Sequence, residues 1–224
     1  MRGNVKKAVI AALAVAAVAV GGMGALHMPF ARPALALLKG TCPMGNANGA
    51  DVEQTRLETV RQMRGSTLSK ARPALGFVLD ATTNDAALVW AKEHKLSCKE
   101  ERQRTLTKCS NVPAELLGEP EGGTADLNLG FNTSGILVNL TAVRRDLAPD
   151  IAEKMLAGVV GRMATDLGTP TVAAGERTGA FLSGADLRTA TVEYRFSDYM
   201  AEVSATNIPG SGIQVREHYI SARD

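Results

Sequence analysis

The sequence predicts an α+β domain, mainly an antiparallel sheet with about three helices, preceded by one N-terminal transmembrane or signal helix. Three observations carry this. Several runs after residue 120 alternate apolar and polar residues with period two, the mark of half-buried strands. One stretch, Ile151 to Leu167, carries an apolar stripe at helical spacing. An uncharged apolar run, Ala8 to Leu26, stands behind three basic residues. Short turns join the strands, so they pair locally in the order α-α-β-β-β-β-α-β-β-β, with the helices expected on one face.

The first fifty residues contain no Asp or Glu, but hold Arg2, Lys6, Lys7, Arg32 and Lys39. The apolar run of nineteen residues would reach about 28 Å as a helix, close to the hydrocarbon thickness of a bilayer. Basic residues on its N-terminal side hold that end in the cytoplasm, so the rest is translocated. Residues 1–26 therefore read as a signal anchor or a cleaved signal peptide. Poor cleavage signals at Gly22-Met-Gly-Ala25 and Ala34-Leu-Ala36 favour the anchor. Residues 27–50 form a linker rich in Pro and Gly, and 51–224 the extracytoplasmic domain. Of the 25 basic residues, 20 follow residue 50, against 23 acids, a net of −3. That balance gives no basic footprint for nucleic acid.

Asp51 opens a helix to Met63, with Val52, Leu57, Val60 and Met63 inward and Gly65 beyond it. Thr82-Thr-Asn-Asp85 offers N-caps for a short helix through Lys95, which carries the only tryptophan, Trp90. Cys98 to Cys109 reads as a hairpin turning at Gln103-Arg104, which opposes the two cysteines and also sets Lys99 against Lys108. In an oxidising compartment Cys98 and Cys109 form a disulfide, the alternative being two reduced thiols. Cys42 is then a free thiol, or links two chains, or takes a redox or haem role through its Cys-Pro dipeptide.

Leu127, Leu129 and Phe131 mark a strand, Asn132-Thr-Ser-Gly135 a turn, and Ile136 to Val143 the returning strand. Asp150 is expected to cap the long helix, with Glu153 at the capping-box position. Its stripe is Ile151, Met155, Leu156, Val159, Val160, Met163 and Leu167, ended by Gly168 and Pro170. Thr171 to Leu187 shows no pattern. Val192-Tyr194-Phe196, Tyr199 to Ala205 and Ile213-Val215-Tyr219 are three further strands, the last two joined by Pro209-Gly-Ser-Gly212.

The chemistry-bearing residues are scattered. His27, His94 and His218 fall in no metal-ligand spacing, and His94 and His218 read as surface residues. Ser211 belongs to a turn, not a nucleophile elbow. Glu100-Glu101 and Glu119/Glu121 stand in polar stretches that give no reason for a shifted pKa. No catalytic, metal or cofactor-binding residue is assigned.

The run Asp126-LNLGFNTSGILVNLTAVRR-Arg145, and the helix ending in Leu167-Gly-Thr-Pro170, resemble hairpins and helices of BamE-like envelope modules. The chain as a whole resembles exported proteins of high-GC Gram-negative bacteria. The expectation is a non-enzymatic envelope domain, single-pass in the cell membrane with its C-terminal domain periplasmic or extracellular. It would bind a protein or lipid-linked partner. The alternatives are a small-molecule-binding or enzymatic domain using a pocket between the sheet and the 150–167 helix, and a redox or haem role at Cys42.

Overall fold

The computed structural model describes residues 49–118 and 123–223, with side chains from Val52 onward. The N-terminal apolar segment, the linker to residue 48, His27, Cys42, Glu119 and Glu121 lie outside the described residues. No helix among the described residues is long and apolar enough to cross a membrane.

The elements are α1 (Gly49–Met63), α2 (Asn84–Glu93), β1 (Ser97–Glu101), β2 (Leu106–Pro113) and a 3₁₀ turn (Ala114–Leu117). Then come β3 (Thr124–Phe131), β4 (Leu137–Leu147), α3 (Pro149–Leu167), β5 (Val172–Ala174) and α4 (Gly179–Leu182). The chain ends with β6 (Arg188–Arg195), β7 (Tyr199–Ile208) and β8 (Gly212–Ser221). All eight strands form one antiparallel sheet in the order β1-β2-β3-β4-β8-β7-β6-β5. The fold is α+β, as the alternation predicts. Two four-stranded meanders, each introduced by a helix, meet at a single seam where β4 pairs with β8, Leu140 opposite Tyr219 and Thr141 opposite His218.

One face of the sheet carries the main core. Leu127, Leu129, Leu140, Ala142, Val192, Tyr194, Tyr199, Val203 and Val215 are buried there, joined by Ala87 of α2 and by Ala152, Leu156, Val159 and Met163 of α3. α3 lies across β7 and β8. Its buried stripe includes Ala152, whereas Ile151 is 44% exposed. The expected cap also moves. The N-cap position is Ala148, with no side-chain cap, and Pro149 occupies the first helical turn. Proline's fixed φ suits that position, and its missing N–H costs nothing there. Asp150 is thereby already helical, and Glu153 instead accepts the Gly179 N–H at 2.6 Å, tying α4 to α3. The stretch 171–187, patternless in sequence, holds β5 and α4. β5 is three residues long, too short for alternation to register, and α4 is capped by the Thr178 hydroxyl accepting from Phe181 N.

The helices do not all share one face. α1 crosses the opposite face, where Val60 packs with Met200, Ala222 and the partly buried Ile220 in a small satellite cluster. Met200 and Ile220 alternate with core residues of β7 and β8, so they project away from the main core. Arg56 donates to the Ser221 carbonyl, and Arg64 to that of Ala222 at 3.2 Å, pinning α1 to the end of β8. Gly65 lets the chain leave α1 directly beneath the β6–β7 turn. Its N–H donates to the Phe196 carbonyl at 3.2 Å, and a Cβ there would stand 2.2 Å from the Arg195 carbonyl oxygen.

The hairpin pairs in the expected register. Cys98 faces Cys109 across a disulfide, with Cα atoms 4.0 Å apart, on the core side beneath α2. Lys99 does oppose Lys108, but on the other face Glu101 stands between them, 3.4 Å from one ammonium and 2.8 Å from the other. The Lys108 hydrogen bond, ahead of a smaller opposing effect of burial, holds the Glu101 carboxyl below its ordinary value.

Candidate functional site: a cleft beneath the first helix

The α3–sheet contact, where sequence reading put a possible pocket, is packed with buried side chains: Leu156 is 0%, Val159 1% and Met163 2% exposed. It also holds a knot of charge. Glu217, wholly buried on β8, lies 2.9 Å from Arg144 of β4 and 3.0 Å from Arg162 of α3, and accepts from the Tyr219 hydroxyl. Burial, with the Glu217 carboxylate beside it, raises the Tyr219 phenol well above its usual pKa. The knot cross-braces two strands and a helix. Glu217 was missed in sequence, although an acid between the inward positions Val215 and Tyr219 was the signal for it.

A polar hollow of about 410 Å³ lies where the α2 N-terminus, the β1–β2 turn and the β3–β4 turn meet. Arg104 fills its charge balance from within, bonding Asp85 at 2.5 Å, Glu100 at 2.8 Å and Asn84 at 3.1 Å. Those partners raise the Arg104 pKa further, Glu100 first. Glu100 is thus an ion-pair partner on the rim of the hairpin, consistent with its reading as a solvated residue.

Another hollow is a cleft of about 240 Å³ between α1 and the sheet face opposite the main core. Thr59, Val60 and Met63 of α1 form one wall; Met200 of β7 and Ile220 of β8 continue the apolar lining. Around it stand Glu193, Arg195, Glu202, Arg216 and His218. Strand register explains the convergence. Glu193, Glu202 and His218 occupy one cross-strand row, continued by Thr141 and Asn128. Each rim charge has its counterion: Arg195 bonds Glu193 at 2.8 Å, and Arg216 bonds Glu202.

His218 was read as a surface residue because it alternates away from the core. It does face away, but α1 and its neighbours cover it to half-buried. Burial first, then the Arg216 charge, against the weaker pull of Glu202, lower its pKa to about 4. The ring is therefore neutral at physiological pH. Nε2 lies 3.1 Å from Asn139 Oδ1; a proton on Nε2 makes this contact a hydrogen bond, and in that tautomer Nδ1 is the acceptor nitrogen. His94 is exposed at the end of α2, its ring 5.3 Å from Trp90, as a solvated residue should be. Ser211 sits in the exposed β7–β8 turn, donating its N–H to the Ile208 carbonyl.

Cleft residues come from α1, β6, β7 and β8, four segments that no sequence window joins. No family model, no curated protein and no solved structure matches the chain.

Proposed function

We propose that the domain is a non-enzymatic binding module of the cell envelope, held outside the cytoplasm by its N-terminal apolar segment, and that a protein partner engages it at the α1 cleft. The observation that carries this reading is the cleft itself, an apolar floor ringed by charges that are already paired. Its volume of about 240 Å³ lies below the 300–1,000 Å³ or so of sites that enclose a whole small ligand. It suits one protruding group of a larger partner, the anchor-in-pocket arrangement of interface hot spots.

The rim is poorly equipped for proton transfer. Glu193 and Glu202 are each held by an arginine, and a histidine with a pKa of about 4 is a weak base at neutral pH, where catalysis wants a pKa near the working value. The localisation rests on the sequence: the apolar run behind Arg2, Lys6 and Lys7, and the absence of acids before Asp51. The pairing of Cys98 with Cys109 agrees with an oxidising compartment.

Two experiments test this. A photo-crosslinking residue at Met63, on the cleft wall, should capture one discrete protein in native membranes, and the same residue at the exposed Leu187 should not. An identical pattern from both positions, or no product from either, overturns the binding site. A reporter active only in the cytoplasm, fused after Asp224, should stay silent; strong activity would overturn the topology.

A further inference from the structure

We infer that the α1 cleft is a socket for a single aromatic side chain bearing an N–H or O–H, a tryptophan or tyrosine of the partner. The inference rests on the partner-binding reading above and adds the chemistry of the anchor. Three features select it.

The lining is bracketed by two thioethers, Met63 from α1 and Met200 from β7, with Val60 and Ile220 beside them. Methionine sulfur makes favourable contacts with aromatic rings, and its unbranched chain adapts to a flat guest. Second, the rim is electrically closed. Arg195 with Glu193 and Arg216 with Glu202 leave no net charge to attract a charged head, while the planar guanidiniums can still stack on a ring. Third, His218 lines the cleft, and with Nε2 3.1 Å from Asn139 Oδ1 the ring atom left to accept a hydrogen bond from a guest is Nδ1. A purely hydrocarbon guest would cover that acceptor and leave it without a donor, which is costly. A tryptophan indole N–H or a tyrosine hydroxyl supplies the donor while its ring fills the apolar part, the amphipathic combination that enriches these residues at interfaces.

The test titrates the full chain, labelled at its methionine methyl groups, with N-acetyl-tryptophanamide, its 1-methylindole analogue and decanoate, followed by NMR. The tryptophan amide should move the Met63 and Met200 methyl signals by ring-current shifts and saturate. The 1-methyl analogue, which cannot donate, should bind about three- to tenfold more weakly, the worth of one hydrogen bond. His218→Leu should erase that difference while leaving ring-current shifts in place. Met200→Trp, which fills the socket covalently, should abolish the tryptophan amide's effect, and serves if the His218 variant does not fold. Shifts with decanoate alone would make the cleft an acyl socket and overturn the inference. Equal binding of both indoles to the wild-type chain would remove His218 from it and overturn it also. If no probe binds, the socket is refuted, while the Met63 crosslink still decides separately whether a protein engages the cleft.

Discussion

Glu217 and His218 are chain neighbours on β8 that point to opposite faces, and each puts a cost into the fold. Glu217 serves two arginines at once. Glu217→Ala would strip the shared carboxylate from Arg144, itself only 2% exposed, so the loss should be about 3–5 kcal/mol. Urea unfolding at neutral pH measures this; a loss under about 1 kcal/mol, typical of a surface pair, would mean the knot is not the brace described. His218 acts through protons. Its folded pKa, about 4, lies below its unfolded value of 6.5, so the unfolded chain binds the extra proton first as pH falls. Stability attributable to this residue is therefore present above pH 6.5 and declines toward pH 4, by up to about 3 kcal/mol. The charged groups around it, Arg216, Glu202, Glu193 and Arg195, are mutually paired. His218→Gln should accordingly flatten the difference in urea midpoint between pH 7 and pH 4.5; an unchanged slope would place the pH dependence elsewhere. Strand alternation told which way each side chain points. It could not say that α1 roofs the outer face, because nothing in residues 49–63 specifies which sheet face they cover.

Among the elements, the β1–β2 hairpin was the most legible. Cys98, Cys109 and the turn between them set the register from local spacing alone, and the disulfide follows from their opposition. Non-reduced peptide mapping should recover Cys98 joined to Cys109, and replacing either by Ser should cost up to about 3 kcal/mol of stability. Recovery of Cys42 bonded to either one would refute the pairing. The opposed Lys99 and Lys108 looked like an objection in sequence, where only the directly facing partner is visible. Glu101 is two residues along the same strand, hence on the same face, and answers it. For α3 the stripe was readable at Leu156, Val159, Met163 and Leu167, all buried; only its first member differs, because Ala152 stands four residues before Leu156 on that face, whereas Ile151 is turned to its edge and 44% exposed. β5 and α4 were invisible because elements of three and four residues fall below the window in which periodicity has meaning.

At the scale of the molecule, local pairing was readable and distant pairing was not. β1 through β4 pair in sequence order, as do β5 through β8, and short turns announce such neighbours at β1–β2, β3–β4, β6–β7 and β7–β8. The β4–β8 pairing joins residues such as Thr141 and His218, for which no turn exists to signal it. The cleft inherits that difficulty, since its residues on β8 and α1 meet only after the seam and the α1 crossing are formed.

The order β1-β2-β3-β4-β8-β7-β6-β5 reads the same when its two halves are exchanged. Mechanically, then, the sheet is two half-sheets zipped along one strand pair, with α1 and the segment after it reaching from the first half across to the second, and the covalent link between the half-sheets at Ala148 is exposed. Strand pairs within each half close shorter loops than the seam does, and a longer loop costs more chain entropy to close. A molecule built so should tolerate being made in two pieces. Residues 1–147 and 148–224, produced separately, should each present an open seam edge and self-associate, since unpaired edges invite pairing. Mixed in equal amounts, they should reassemble into a complex whose amide spectrum overlays that of the intact chain. Fragments that ignore one another would mean that α3 and the Glu217 knot need the unbroken backbone to find their places.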